Sequence, residues 1–272
     1  MNSYIEIIRP ANAVMASIAV LLMAVIGHTY SMAILVGAVS VFVATGGGNV
    51  INDYFDYEID KVNKPHRPIP SGRIRRDHAL YYALLLFLAA IILGFMISVA
   101  NGLTVIVCSL IMIVYAYDFK QRCIIGNLTV SLLTGLTFIY GGLITGDYIL
   151  SILLGFFAFL MTLSREIVKD AEDVEGDLVE NASTFPIVYG VDRAVLVAFI
   201  LNVITCILSP ILYVTGIFNV YYLIIVLFAD VIFIYSGLLA TKEMSSNNLH
   251  RVSKYMKIGM LIAFIAFAVG SI

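Results

Sequence analysis

Charge is what this chain has least of. Only 12% of its 272 residues are Asp, Glu, Lys or Arg, whereas 61% are hydrophobic; a soluble domain carries about twice that charged share. The 34 charged side chains (16 basic, 18 acidic) cannot clad the surface that a soluble protein of this length exposes. A water-soluble enzyme, a nucleic-acid binder and a disordered chain are therefore excluded together. Cysteine is equally scarce: Cys108, Cys123 and Cys206 lie far apart without metal-ligand spacing, which argues against a disulfide framework or a zinc site. His28, His66, His78 and His250 are just as scattered. The N-terminus lacks a basic stretch followed by a short apolar core and a small-residue cleavage site, so the first apolar run is expected to be a retained span, not a signal peptide. What is present in abundance is apolar sequence, with a mean hydropathy of +1.00.

Uncharged apolar runs occupy 11–27, 31–51, 79–100, 103–117, 124–146, 148–164 and 194–218. An eighth, 219–241, is interrupted only by Asp230, and a ninth runs from Tyr255 to the C-terminus. A helix crosses the hydrocarbon core with about 20 residues. The runs are continuous and not alternately polar, which disfavours strands. The expectation is an all-α membrane protein with nine transmembrane helices in a bundle. Alternating sides places the N-terminus, 52–78, 118–123, 165–193 and 242–254 on one face. All 16 Lys and Arg residues fall there, counting Lys257 at the edge of the last helix. The positive-inside rule makes that face cytoplasmic, with the N-terminus. The net charge of −2 says less than this distribution does.

Two cytoplasmic segments, 52–78 and 165–193, hold 22 of the 34 charges. The first opens Asn52-Asp53-Tyr54-Phe55-Asp56-Tyr57-Glu58-Ile59-Asp60. If the second helix continues, Asn52, Asp56 and Asp60 share one stripe. The second segment carries Asp170, Asp173 and Asp177, which repeat the spacing of Asp53, Asp56 and Asp60 at an offset of 117 residues. This predicts, within a single domain 1–272, two four-helix halves (about 1–123 and 124–241) and a ninth helix, 253–272. Carboxylates lined up on neighbouring helices repel unless cations neutralise them. Magnesium takes oxygen ligands, often one or two carboxylates, and completes its octahedron with waters and substrate phosphates. Asn52, Asp53, Asp56, Asp60, Asp170, Asp173 and Asp177 are therefore expected to hold Mg²⁺ ions bridged by a diphosphate. Lys61, Lys64, Arg67, Lys120, Arg122, Arg165 and Lys169 stand beside them to take phosphate oxygens. A solvated helix end explains one such motif; it explains two matched motifs at equivalent topological positions far less well.

These residues resemble the UbiA superfamily of intramembrane prenyltransferases. The likeness rests on Asn52-x-x-x-Asp56-x-x-x-Asp60 after the second helix and Asp173-x-x-x-Asp177 after the sixth. Lys64-Pro65-His66-Arg67-Pro68-Ile69-Pro70-Ser71-Gly72, Tyr115-x-Tyr117-Asp118-Phe119-Lys120 and Ser183-Thr184-Phe185-Pro186 extend it. The length and the opening Ile8-Arg9-Pro10-Ala11-Asn12-Ala13-Val14-Met15 are most similar to the archaeal ether-lipid branch.

The resemblance implies Mg²⁺-dependent transfer of a geranylgeranyl group from geranylgeranyl diphosphate to geranylgeranylglyceryl phosphate. Asp56, Asp60, Asp173, Asp177 and Lys120 would be catalytic. Asn52, Lys64, Arg67, Arg9, Tyr115, Tyr117, Arg122, Arg165, Lys169 and Ser71 would bind substrate. Metal-bound diphosphate becomes a leaving group, Lys120, Arg67 and Lys169 stabilise its growing charge, and the faces of Tyr115 and Tyr117 stabilise an allyl cation. Aromatic anchoring at the membrane interface explains the two tyrosines equally well. Arg9, Arg73, Arg75, Arg76 and Arg122 are candidates for an acceptor phosphate, and topology alone also accounts for them. The partners are an isoprenoid diphosphate, a lipid-like acceptor and membrane lipids, not nucleic acid. Two rivals stay open: an aromatic-acceptor relative, and a cation transporter, whose ligands would sit nearer the bilayer midplane. Elsewhere, Asp230, Asn127 and Asn202 are expected in interhelical hydrogen bonds, Gly46–Gly48 in close helix packing, and Pro210 at a kink.

Overall fold

The computed structural model describes residues 2–179 and 182–272, and every regular element among them is helical. In chain order these are α1 (Ser3–Ile7), α2 (Pro10–Ile26), α3 (Met32–Phe55), α4 (Tyr57–Asn63), α5 (Arg76–Ile97) and α6 (Val99–Tyr117). A 3-10 turn, Phe119–Gln121, leads to α7 (Ile125–Thr145), α8 (Tyr148–Glu172), α9 (Val174–Val179) and α10 (Phe185–Tyr189). The chain ends with α11 (Val191–Leu208), α12 (Ile211–Val214), α13 (Val220–Lys242) and α14 (Ser246–Gly270). Among the described residues eight helices are long and apolar enough to cross a membrane, counting Val191–Val214 as one, and α2 is a shorter apolar helix. At 1.5 Å per residue, the 17 residues of α2 rise about 25 Å, the lower limit for a span.

The apolar runs and the helices differ where caps or proline decide the boundary. The fourth helix starts at Val99, not 103. Ser98 is extended and its hydroxyl accepts from the Asn101 amide at 3.1 Å, so Asn101 and Gly102 enter the helix. Asn101 is buried and donates to the Tyr140 carbonyl at 3.2 Å. The last helix starts at Ser246, not 253, because Ser245 caps the Asn248 amide. The seventh run divides at Ser209–Pro210, where proline begins the short α12. Helix α3 runs unbroken through Gly46–Gly48, where a Cβ on Gly47 would stand 3.1 Å from the Phe87 ring. Close packing is thus what those glycines permit.

The chain packs as two compact units. One comprises Met1–Ala24, Thr29–Lys120 and Leu136–Ser151, and the other Val25–His28, Gln121–Gly135 and Ile152–Ile272. They do not coincide with the halves 1–123 and 124–241, because the C-terminal part of α7 packs with the first unit: a Cβ on Gly141 would lie 2.9 Å from the Met23 side chain. Within that unit α3 packs on α5 and α6, burying Val50, Ile51, Ala83 and Phe87, and Ser40 donates to the Ala90 carbonyl at 2.9 Å. In the second unit α13 packs on α11 and α14 around Ala198, Phe233, Leu249 and Met256. Ser164 donates to the Ala198 carbonyl at 2.8 Å and Asn202 to the Phe233 carbonyl at 3.4 Å, the interhelical role expected of Asn202. Lipid is as apolar as leucine, so close approach and such bonds, not hydrophobic burial alone, hold helices together. Leu84, Leu85, Leu88 and Ile92 of α5 accordingly stay exposed.

Candidate functional site

In the first unit the expected continuous stripe is interrupted: α3 ends at Phe55, α4 begins at Tyr57, and Asp56 occupies the junction. The Asp56 amide donates to the Asn52 carbonyl at 2.9 Å and the Asp60 amide to the Asp56 carbonyl at 2.8 Å, so i to i−4 bonding bridges the break. Asp53, Asp56 and Asp60 are all buried. Ionised carboxylates in such surroundings need partners, and each has them. Asp56 Oδ2 accepts from Lys120 Nζ at 2.6 Å and from Asn52 Nδ2 at 2.8 Å. Arg67 Nη1 donates to Asp60 Oδ2 at 2.6 Å and to Asp53 Oδ1 at 3.2 Å. Asp53 Oδ1 also accepts from Arg9 Nη2. Arg9 lies between α1 and α2 with φ +50°, a left-handed conformation costing a non-glycine residue about 1–3 kcal/mol.

The loop after α4 presents Arg67. Ser71, expected at the substrate, donates instead to the Arg67 carbonyl at 2.7 Å, and Gly72, with φ +76°, completes the turn. Arg73 is committed to structure: it grips both Glu6 oxygens at 2.5 and 2.9 Å and donates to the His66 carbonyl at 2.6 Å. That guanidinium holds the Glu6 carboxyl below the usual carboxylate range. Arg76 stacks on the rings of Tyr54 and Tyr57, at 4.7 and 5.2 Å. Arg75 is exposed, 3.9 Å from Asp77, and Lys64 is exposed at the end of α4. Tyr115 is half-buried; Tyr117 is exposed with its ring edge-on to Phe55 at 5.5 Å, as an interface anchor would be.

The second unit repeats the break. Helix α8 ends at Glu172 and α9 begins at Val174, each 117 residues after its counterpart, with Asp173 at the junction. The Asp173 amide donates to the Lys169 carbonyl at 3.1 Å and the Asp177 amide to the Asp173 carbonyl at 2.9 Å. Here the carboxylates are more open: Asp173 is exposed and Asp177 and Asp170 are half-buried. A Cβ on Gly176 would lie 2.8 Å from Asp173 Oδ1, so glycine leaves that carboxylate room. Asp170 Oδ2 accepts from the buried Asn127 amide at 2.8 Å, the interhelical bond expected of Asn127. Arg165 and Lys169 both pair with Glu166, at 2.8 and 3.0 Å. Arg122 is exposed just beyond the 3-10 turn, and the Ser183 amide donates to the Gln121 carbonyl of that turn at 2.9 Å. Asp230 accepts from Ser209 Oγ at 2.7 Å, the buried hydrogen bond expected of it. Two pairs escaped the sequence reading, Glu6–Arg73 and Glu172–His250 (2.6 Å), because neither follows from spacing.

Among the described residues no three His, Cys, Asp or Glu side chains gather as a ready-made metal cage. The donors are all hard oxygens, which suits magnesium: it uses few protein carboxylates and completes its sphere with water and phosphate. Asp56 and Asp60, paired with Lys120 and Arg67, offer oxygens of that kind, and an ammonium and a guanidinium beside them suit phosphate oxygens.

Residues 13–266 match the family described as the UbiA prenyltransferase family. A digeranylgeranylglyceryl phosphate synthase of Methanosphaera stadtmanae is 64% identical over 272 residues, covering 100% of both chains. A solved structure concerned with digeranylgeranylglyceryl phosphate synthase in membranes is 36% identical, with a TM-score of 0.86 over 99% of this chain and 97% of that one. A UbiA homologue from Archaeoglobus fulgidus, solved bound to GPP and Mg²⁺, shares the fold at 18% identity, with a TM-score of 0.72 over 98% of this chain and 100% of that one.

Proposed function

The chain belongs to the UbiA prenyltransferase family, and on that premise we propose that it transfers a geranylgeranyl group from geranylgeranyl diphosphate to geranylgeranylglyceryl phosphate, with Mg²⁺ as cofactor. The product is digeranylgeranylglyceryl phosphate, an ether-lipid precursor. The observation that carries this reading is end-to-end identity of 64% with a synthase of that name. The Mg²⁺ and GPP held by the A. fulgidus homologue support the cofactor and the donor class. In this reading both Asp motifs supply oxygen ligands to Mg²⁺, which when bound draws charge from the diphosphate.

The chain's own residues do the rest. Lys120 and Arg67, paired with Asp56 and Asp60 at 2.6 Å, lie beside the metal-binding carboxylates and stabilise negative charge as the allylic C–O bond breaks. The bond from the allylic carbon to the diphosphate oxygen breaks, the acceptor hydroxyl oxygen bonds to that carbon, and the hydroxyl proton leaves to the departing diphosphate or to water. Lys and Arg interleaved with the carboxylates suit a phosphate ester better than a bare cation in transit. In this reading the motifs work at the cytoplasmic face, which the distribution of all 16 Lys and Arg residues supports.

Incubating membranes that carry the protein with geranylgeranyl diphosphate, Mg²⁺ and each acceptor in turn tests the assignment. Product is expected from geranylgeranylglyceryl phosphate and no product after chelation by EDTA. Product from an aromatic acid alone would overturn the lipid-synthase reading.

A further inference from the structure

We infer that Asp53 and Asp170 are positioning residues: each tethers its motif-bearing helix to the start of another helix of its own unit, and Asp53 thereby aims Arg9 and Arg67. The inference rests on the proposed function, in which those two arginines meet phosphate.

The observation is a geometry that occurs twice. Asp170 follows Asp53 by 117 residues, and each stands three residues before the Asp at a helix break, Asp56 or Asp173. Asp53 accepts from Arg9, immediately before α2, and Asp170 accepts from Asn127, in the first turn of α7. Asn127 lies 117 residues after Pro10, the neighbour of Arg9. One partner is a cation and the other a neutral amide, so charge neutralisation is not what the two share. The tether is. In the first unit the tether has a further consequence. Arg9 occupies left-handed backbone at φ +50°, and Asp53 Oδ1 receives both its Nη2 and the Nη1 of Arg67. A guanidinium carries five N–H donors, and these bonds engage one nitrogen of each, Nη2 of Arg9 and Nη1 of Arg67.

The test uses the purified full-length protein with Mn²⁺ as the spectroscopic probe and inorganic pyrophosphate as its co-ligand. Asp53→Asn and Asp170→Asn are expected to retain wild-type Mn²⁺ affinity by electron paramagnetic resonance titration. Asp56→Asn is expected to weaken it by at least about tenfold. In turnover, Asp53→Asn should raise KM for geranylgeranyl diphosphate about tenfold, with a smaller fall in kcat, and Asp53→Glu should recover part of the loss. Combined with Arg9→Gln, Asp53→Asn should add less than it costs alone, the coupling expected of a pair that acts as a unit. Loss of Mn²⁺ affinity in Asp53→Asn or Asp170→Asn as severe as in Asp56→Asn would overturn the inference. Additive effects of Asp53→Asn and Arg9→Gln would do the same. Should Asp53→Asn not yield folded protein, Asp170→Asn decides, since an amide there can still meet Asn127. Unchanged Mn²⁺ affinity in Asp56→Asn would instead sink the metal reading of the motif, which keeps the two failures apart.

Discussion

At the scale of single residues, the two motifs carry the same carboxylates in unlike surroundings. Asp56 is buried and shares Oδ2 with Lys120 and Asn52, whereas Asp173 is exposed at the matching junction. Removing a carboxylate from a buried pair leaves its cation poorly solvated, whereas removing an exposed one disturbs little. Asp56→Asn should therefore cost stability as well as catalysis, about 1–3 kcal/mol, half-buried Lys120 tempering the loss. Asp173→Asn should leave the melting temperature in detergent within a degree or so of wild type, as surface changes do. Both should lose roughly a hundredfold or more in transfer, the order of effect of removing a group that stabilises transition-state charge. Scanning fluorimetry beside the transfer assay reads both quantities. A drop in melting temperature for Asp173→Asn matching that for Asp56→Asn would show that the exposure difference is not energetic. Lys120→Met isolates the cation: kcat should fall about 10²–10³-fold, and a change confined to KM would remove Lys120 from the bond-breaking step.

At the scale of elements, hydropathy located the helices but not their joints. The expected run 148–164 became a helix ending at Glu172, because the charged stretch Arg165–Glu172, about two turns, continues α8 with its own pairs, Arg165 and Lys169 on Glu166. The 117-residue offset was legible from Asp spacing alone, and it reappears in the helix ends on either side of Asp56 and Asp173. The break itself was not legible, since nothing in Phe55-Asp56-Tyr57 opposes a helix. Nor were the tethers of Asp53 and Asp170, because side-chain partners 44 and 43 residues away leave no local trace. Where helices cross, small residues were the readable sign, and their energetics can be checked. A Cβ on Gly155 would meet the Gly135 carbonyl oxygen at 2.8 Å, a backbone atom that cannot swing aside. Gly155→Ala should destabilise by about 1–3 kcal/mol, the usual cost of overpacking. Gly47→Ala faces the Phe87 ring at 3.1 Å and should cost less, because a ring can turn. Equal melting temperatures for the two variants would contradict the crossing geometry.

At the scale of the whole molecule, everything proposed about function depends on which side of the bilayer receives the charged loops. Donors and acceptors whose charged heads lie on the cytoplasmic side can reach the motifs only if 52–78 and 165–193 open there, the orientation that the positive-inside rule predicts from the placement of all 16 Lys and Arg residues. Two exposed positions of the first unit sample the expected opposite faces: Lys64, at the end of α4, and Tyr148, which follows the α7–α8 turn at Gly146 and Asp147. Variants Lys64→Cys and Tyr148→Cys, each adding one cysteine to the native Cys108, Cys123 and Cys206, report the topology through a membrane-impermeant maleimide. The native thiols give a low background: all three are half-buried, and burial with the nearby Asp170 charge pushes the Cys123 thiol above its ordinary pKa, so it stays protonated and slow at neutral pH. In right-side-out vesicles Tyr148→Cys should label and Lys64→Cys should not; inverted vesicles should reverse the pattern. Labelling of Lys64→Cys from outside would place the acidic motifs beyond the reach of cytoplasmic diphosphates, and the assignment of donor and acceptor would fall with the topology.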